Sequence, residues 1–335
     1  MRGIAQKMPT YLASTSLTLA VAHDTTPFAT VYTRSGDTYT KLANFATLAL
    51  SGSRGSGWNP TGTTWSAVTN FTSPYLQNWN RSGDVFTKLA DPPALAGGGQ
   101  KMQWSPDGTR IGVTGSTSPR ITIYNRSGDT FTKNADPGTL PTGNGNGVGW
   151  NPSGTSLAVA HATSPRITIY NRSGDTFTKI TNPASLPTSD AGDAKWNGDG
   201  TTLAVITGSS PYINFYNRSG DTFTKLSNPG TLPTGGFAYT EWNPTGTSIC
   251  VAHSTSPYIT IYNRSGDTFT KIANPGTLPT GDGASVGWSR DGLRMAVGMG
   301  ATPWVHIYNR SGDTFTKVAN PGTIPTGVGR GTYFD

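Results

Sequence analysis

"GVGWNPSGTSLAVAHATSPRITIYNRSGDTFTKI" occupies residues 147–180. Four short runs, GVGW, LAVAH, RITIYN and TFTKI, are rich in β-branched and aromatic residues. Turn residues separate them. NPSG sets a proline of fixed φ beside a permissive glycine, and RSGD supplies the glycine that a tight hairpin needs at positive φ. The segment therefore reads as four antiparallel strands joined by turns. No stretch of the chain carries a 3.6-residue apolar period, so helix is expected to be nearly absent.

The unit recurs. Trp stands at 58, 104, 150, 196, 242 and 288, always 46 residues apart, and the next place in the series is Phe334. The decapeptide YNRSGDTFTK stands at 124–133, 170–179, 216–225, 262–271 and 308–317, with variants YTRSGDTYTK at 32–41 and WNRSGDVFTK at 79–88. A four-stranded sheet cannot bury both faces by itself, and seven of them packed in a ring can. The expected fold is all-β, a seven-bladed β-propeller with four antiparallel strands per blade and a 46-residue repeat. Residues 1–12 would be an N-terminal extension and 13–335 a single propeller. Leu12 and Phe334 both fall on the Trp position of blade 1. Phe334 lies in the more β-prone segment, so the C-terminal strand is expected to close the ring.

Composition bounds the function. The 335 residues carry a formal charge of +7. Each decapeptide holds one Arg, one Lys and one Asp, so the seven copies account for the whole excess, and the rest of the chain is balanced. Charge spread in this way is unlike the clustered patch of a nucleic-acid binder, so no specific nucleic acid is expected. Cys250 is the only cysteine, which excludes an internal disulfide and fits a reducing compartment. No apolar run approaches the roughly 18 residues of a membrane span, and the N-terminus lacks a signal-peptide core.

Chemistry-bearing residues are sparse. Glu241 is the only glutamate. Seven aspartates belong to RSGD turns around the rim. Asp190, Asp193, Glu241 and Asp282 form the one acidic cluster near the channel mouth, read as solvated loop charge. His23, His161 and His253 share one repeat position in blades that are not neighbours, and His306 stands apart, so no zinc site is expected. SPDGT at 105–109 and NGDGT at 197–201 lack the further acidic ligands of a calcium loop. The expectation is no catalytic residues, no metal, no cofactor and no enzyme.

Differences among the seven copies point to two places on one face of the ring. The residue after the proline of the turn between the second and third strands is Phe28, Tyr75, Arg120, Arg166, Tyr212, Tyr258 or Trp304. These types are enriched at binding hot spots, and the ring is a candidate binding face; the alternative is that they cover the neighbouring blade. The segments before each Trp also vary and lead into the channel mouth. Lys195 and Glu241 occupy equivalent positions in adjacent blades and are expected to pair, with Asp193 close by.

WSPDGTRIGV at 104–113 and WNPTGTSICVAH at 242–253 resemble the W-S-P-D-G-x-x-L-A-V repeat of WD-like and YVTN-like propellers. The unit TSPYITIYNRSGDTFTKIANPGTLPTG at 255–281 is similar to repeats in proteins of tailed bacteriophages. That resemblance covers nearly the whole chain. It implies a non-enzymatic virion structural protein, assembled in the host cytoplasm and docked through protein–protein contacts on the tail or capsid exterior. Its partners would be other virion proteins. The alternative is a lectin-like or receptor-binding role, with the aromatic and Arg ring holding host-surface glycans.

Overall fold

The computed structural model describes residues 18–335. The extension at 1–12 and the alternative closing residue Leu12 lie outside the described residues. Among these there are seven four-stranded antiparallel sheets and no α-helix, and none of the chain there is helical enough to cross a membrane. The sheets are the seven blades, with strands A to D running from the channel outwards. Blade 4 is typical: A is Gly145–Trp150, B Ser156–His161, C Ile167–Ser173 and D Thr176–Lys179.

Blade 1 is the composite. Its strands Thr18–His23, Ala29–Ser35 and Thr38–Lys41 are completed by Gly329–Phe334, with Leu19 opposite Phe334. Phe334 thus takes the Trp place. Asp335 adds to the closure. Its backbone N–H donates to Thr18 O at 3.1 Å, and its carboxylate pairs with Arg81 of blade 2 at 2.5 Å.

Each pair of blades encloses an apolar layer. Strands A and B contribute small and branched residues, and the Trp at the end of strand A meets the Phe of strand D. In blade 4, Trp150 and Phe177 lie edge to face with centroids 5.8 Å apart. The indole also ties blades together: Trp196 Nε1 donates to Gly149 O, Trp242 Nε1 to Lys195 O and Trp288 Nε1 to Glu241 O, at 3.1–3.2 Å.

The decapeptide does more than close its own hairpin. The side chain of its Asp reaches the preceding blade. Asn171 Nδ2 donates to Asp221 at 2.7 Å, Asn263 to Asp313 at 2.7 Å, and Asn309 to Asp37 at 2.8 Å, which carries the rim belt across the closure. Its Arg folds back over the Trp of the same blade, as Arg218 does over Trp196 at 5.4 Å. Its Tyr hydroxyl donates to the preceding D–A connection, as in Tyr170 to Thr139 O at 2.8 Å. These structural occupations recur around the ring, which is why the copies agree; the Tyr216 hydroxyl, which has no hydrogen-bond partner, is the exception.

Candidate functional site: the channel

The inner strands repeat a backbone and vary their side chains. In each blade the pairing of strand A with strand B shifts register near its start, a β-bulge. A bulge re-aims side chains. The residues within it, Arg54, Gln100, Asn146 and Arg330, line the mouth of the channel on the face of the D–A connections. The next positions inward, three and one before the Trp, hold the residues of the channel itself. Blades 2, 4 and 7 spend both positions on glycine or serine. At Gly149 an added Cβ would stand 2.2 Å from Ala194 O, so only glycine allows blade 5 to approach this closely. Blades 1, 3, 5 and 6 supply Tyr333, Lys101, Asp193, Lys195, Tyr239 and Glu241.

These six form one buried network. Tyr239 and Tyr333 join hydroxyl to hydroxyl across the channel, with their rings edge to face. Lys101 Nζ lies 3.4 Å from Asp193 Oδ2, donates to Gly192 O at 3.1 Å and sits 4.1 Å from the Tyr239 ring centroid. Lys195 Nζ donates to Val148 O at 3.2 Å and stands 3.9 Å from Glu241 Oε2. The Lys195 side chain is 2% exposed, whereas Glu241 keeps 21%. Glu241 is therefore the charged member that a molecule entering from the A–B side can touch.

The tyrosine bridge divides the channel. On the A–B side a cavity of 480 Å³ is collared by six Trp residues and Phe334, and Glu241 and Tyr333 lie in its lining. On the D–A side a cavity of 350 Å³ has Tyr239 and Lys101 in its lining.

Burial and neighbouring charge set the protonation states. Burial raises the Glu241 carboxyl to about 7; the Lys195 ammonium opposes this and the Asp193 carboxylate adds to it. Burial lowers Lys101 to about 8, against the pull of Asp193. Burial also works against the Lys195 ammonium, but Asp193 and Glu241 outweigh it and hold it charged above the ordinary lysine value. Tyr333 is pushed up to about 12 by burial, and Tyr239 rises well above a free phenol for the same reason.

Other residues singled out in the sequence fall elsewhere. Phe28, Tyr75, Arg120, Arg166, Tyr212, Tyr258 and Trp304 lie on the D–A face but do not line its cavity. All seven adopt positive φ, 62–69°, and are half-buried. Arg120 donates to Pro141 O and Arg166 to Pro187 O, both at 3.1 Å, while Phe28 and Tyr75 pack against apolar layers. For these four the covering role is the observed one. Asp282 lines the D–A cavity. His23, His161 and His253 are buried, each with Nε2 3.0 Å from a threonine hydroxyl on strand C. Asp107 and Asp199 cap their own turns through Thr109 and Thr201.

Lys101, Tyr239 and Tyr333 were not singled out beforehand. The signal was present: in the 46-residue register they stand in the same columns as Asp193, Lys195 and Glu241, where other blades carry glycine or serine.

No family model and no curated protein matches the chain. Solved structures do. A Bacteroides fragilis protein provisionally assigned as a 6-phosphogluconolactonase is 13% identical, with a TM-score of 0.78 over 98% of this chain and 100% of that one. The periplasmic gluconolactonase of Pseudomonas aeruginosa is 12% identical, with a TM-score of 0.71 over 94% and 96%. The Swd1 β-propeller domain of Myceliophteria thermophila is 10% identical, with a TM-score of 0.67 over 88% and 94%. At such identities the likeness is one of fold, and it places the chain among β-propellers. It also overturns two expectations, that of a phage virion or receptor-binding protein and that of a non-enzyme. The first two of these neighbours are named as lactone-cleaving enzymes, and the phage resemblance finds no support among them. The repeat motifs that prompted it are propeller turns, which the fold itself demands.

Proposed function

We propose that this protein is a hydrolase of small cyclic esters, acting in the A–B cavity of its channel with Glu241 as general base. The observation that carries the reading is the placement of Glu241. It is a partly accessible carboxylate in the lining of the A–B cavity, held near 7 by burial against the Lys195 ammonium. A base is most useful when its pKa lies near the working pH, and such shifts mark functional positions. The names of the two lactonase neighbours favour the substrate class, a sugar lactone.

In the proposed step Glu241 takes a proton from water as the oxygen adds to the lactone carbonyl. The tetrahedral intermediate then collapses with cleavage of the ring C–O bond. Glu241 returns the proton to the departing ring oxygen, leaving a hydroxyl and a carboxylic acid, which releases its remaining proton to solvent. Lys195 sits behind Glu241, pulling its pKa down from where burial alone would set it. The aromatic collar gives the sugar ring apolar surface and excludes bulk water, which strengthens the charges inside.

Purified protein and its Glu241→Gln variant would be assayed on glucono-1,5-lactone, with spontaneous opening subtracted. The reading expects catalysed opening that falls at least about 100-fold in the variant. No catalysed opening of any sugar lactone, or full activity in Glu241→Gln, would contradict it.

A further inference from the structure

The D–A cavity has a composition of its own. Its lining is polarised: Arg330, Arg54, Lys101 with Gln100, and Asn146 come from the inner strands of blades 1, 2, 3 and 4 in turn. Four adjacent blades thus present a continuous arc of hydrogen-bond donors. The opposite side is made of Gly192, Tyr239, Gly283 and Ala284, with Asp282 as the carboxylate of the lining.

We propose that this cavity binds a small phosphate-bearing anion, gripped by Arg54, Lys101 and Arg330. Two of these cations, Arg54 and Arg330, are drawn together at a cost. Arg54 is lowered from the ordinary guanidinium value by burial and then by the charge of Arg330. Arg330 is loosely held by its carboxylate partner, with Nη2 3.4 Å from Asp24 Oδ2; Lys101 lies at the inner end of the cavity, bonded to Gly192 O at 3.1 Å with Asp193 Oδ2 at 3.4 Å. A close charge-assisted bond is about 2.7–2.9 Å. Arg54 lies over the Phe71 ring, 5.5 Å from its centroid, a contact that leaves the edge of its guanidinium plane for an acceptor. Arginine forks match the spacing of phosphate oxygens, and a lysine adds a point charge. The neutral donors Gln100 and Asn146 suit the remaining oxygens. A volume of 350 Å³ admits a small phosphate ester.

This site stands apart from the hydrolytic reading, because the Tyr239–Tyr333 contact separates the two cavities and Glu241 lines only the other one. Calorimetric titration with inorganic phosphate and with glycerol 3-phosphate tests it, on wild type and two variants. Saturable binding is expected in the wild type and at least tenfold weaker in Arg54→Gln/Arg330→Gln. Arg54→Lys/Arg330→Lys keeps the charge and controls for folding; it should bind with intermediate affinity. Tighter binding of glycerol 3-phosphate than of phosphate would identify an ester as the ligand; equal binding would identify the free ion. Absence of saturable binding in the wild type would overturn the proposal, and so would undiminished binding in the folded double Gln variant.

Discussion

The rim and the channel of this propeller are built from the same 46-residue unit and have opposite histories of variation. At the rim, near-identical hairpins repeat the same jobs: an Asn–Asp bond to the next blade, an Arg over a Trp, a Tyr to a connecting carbonyl. Uniform sequence there follows from uniform mechanics. In the channel the backbone stays uniform, and six large polar or charged side chains from four blades break the symmetry. A sevenfold ring of identical residues cannot distinguish base from counter-charge. Asymmetry is what allows a carboxylate and an ammonium to meet at one point.

If the rim and closure carry stability, the largest loss should come from opening the ring. Deleting Tyr333–Asp335 removes Phe334 from the core and the Asp335–Arg81 ion pair. A loss of about 5 kcal/mol or more is expected in chemical unfolding, comparable with a whole domain's stability. An unchanged melting temperature would show that the C-terminal strand is dispensable. Next, Phe177→Ala should cost about 3–5 kcal/mol, because the Phe fills the layer under Trp150. Lactone turnover at temperatures where the variant stays folded should be unchanged.

The channel should behave otherwise. Lys195→Met leaves the Glu241 carboxylate without its paired ammonium. The expected cost is about 3 kcal/mol at pH 8, shrinking towards pH 5 as Glu241 takes up its proton. A cost independent of pH would separate Lys195 from Glu241 energetically.

Acid acts on the buried histidines. Burial holds His23, His161 and His306 at about 4, below the ordinary 6.5. The unfolded chain therefore takes up these protons first, so stability present above pH 6.5 drains away as pH falls towards 4. Glu241, raised in the fold, works in the opposite sense between about 7 and 4.5, but three groups outweigh one. The melting temperature should fall by roughly 5 °C or more between pH 6.5 and 4.5. The smallest effect belongs to one exposed rim bond: Asp221→Ala should cost below about 1 kcal/mol.

The sequence declared its architecture through the spacing of Trp and the decapeptide, because strand, turn and hairpin chemistry is local and was repeated seven times. Even closure by Phe334 followed from the register. The Lys195–Glu241 approach was legible for the same reason, since equivalent columns in adjacent blades must be neighbours. Lys101, Tyr239 and Tyr333 were harder to see. Their partners lie across the ring, and only the bulge in each inner strand decides which side chains face a mouth and which face the channel. The residues of the aromatic and Arg ring vary like a binding surface, and two of them, Arg120 and Arg166, donate to carbonyls of the D–A connections. Reading function from absence failed. One glutamate looked too few for catalysis, but burial can make a single carboxylate a base.

The pH dependence of kcat/KM for lactone opening bears most directly on the claim that the asymmetric channel is the working site. Glu241 faces Lys195, Asp193, Lys101 and Tyr333, and of these Lys195 most strongly holds its pKa down. The wild-type rate should climb through an apparent pKa near 7, and Lys195→Met should move that limb upward by about one unit. A limb that stays in place in Lys195→Met, or that persists in Glu241→Gln, would place the chemistry outside the channel.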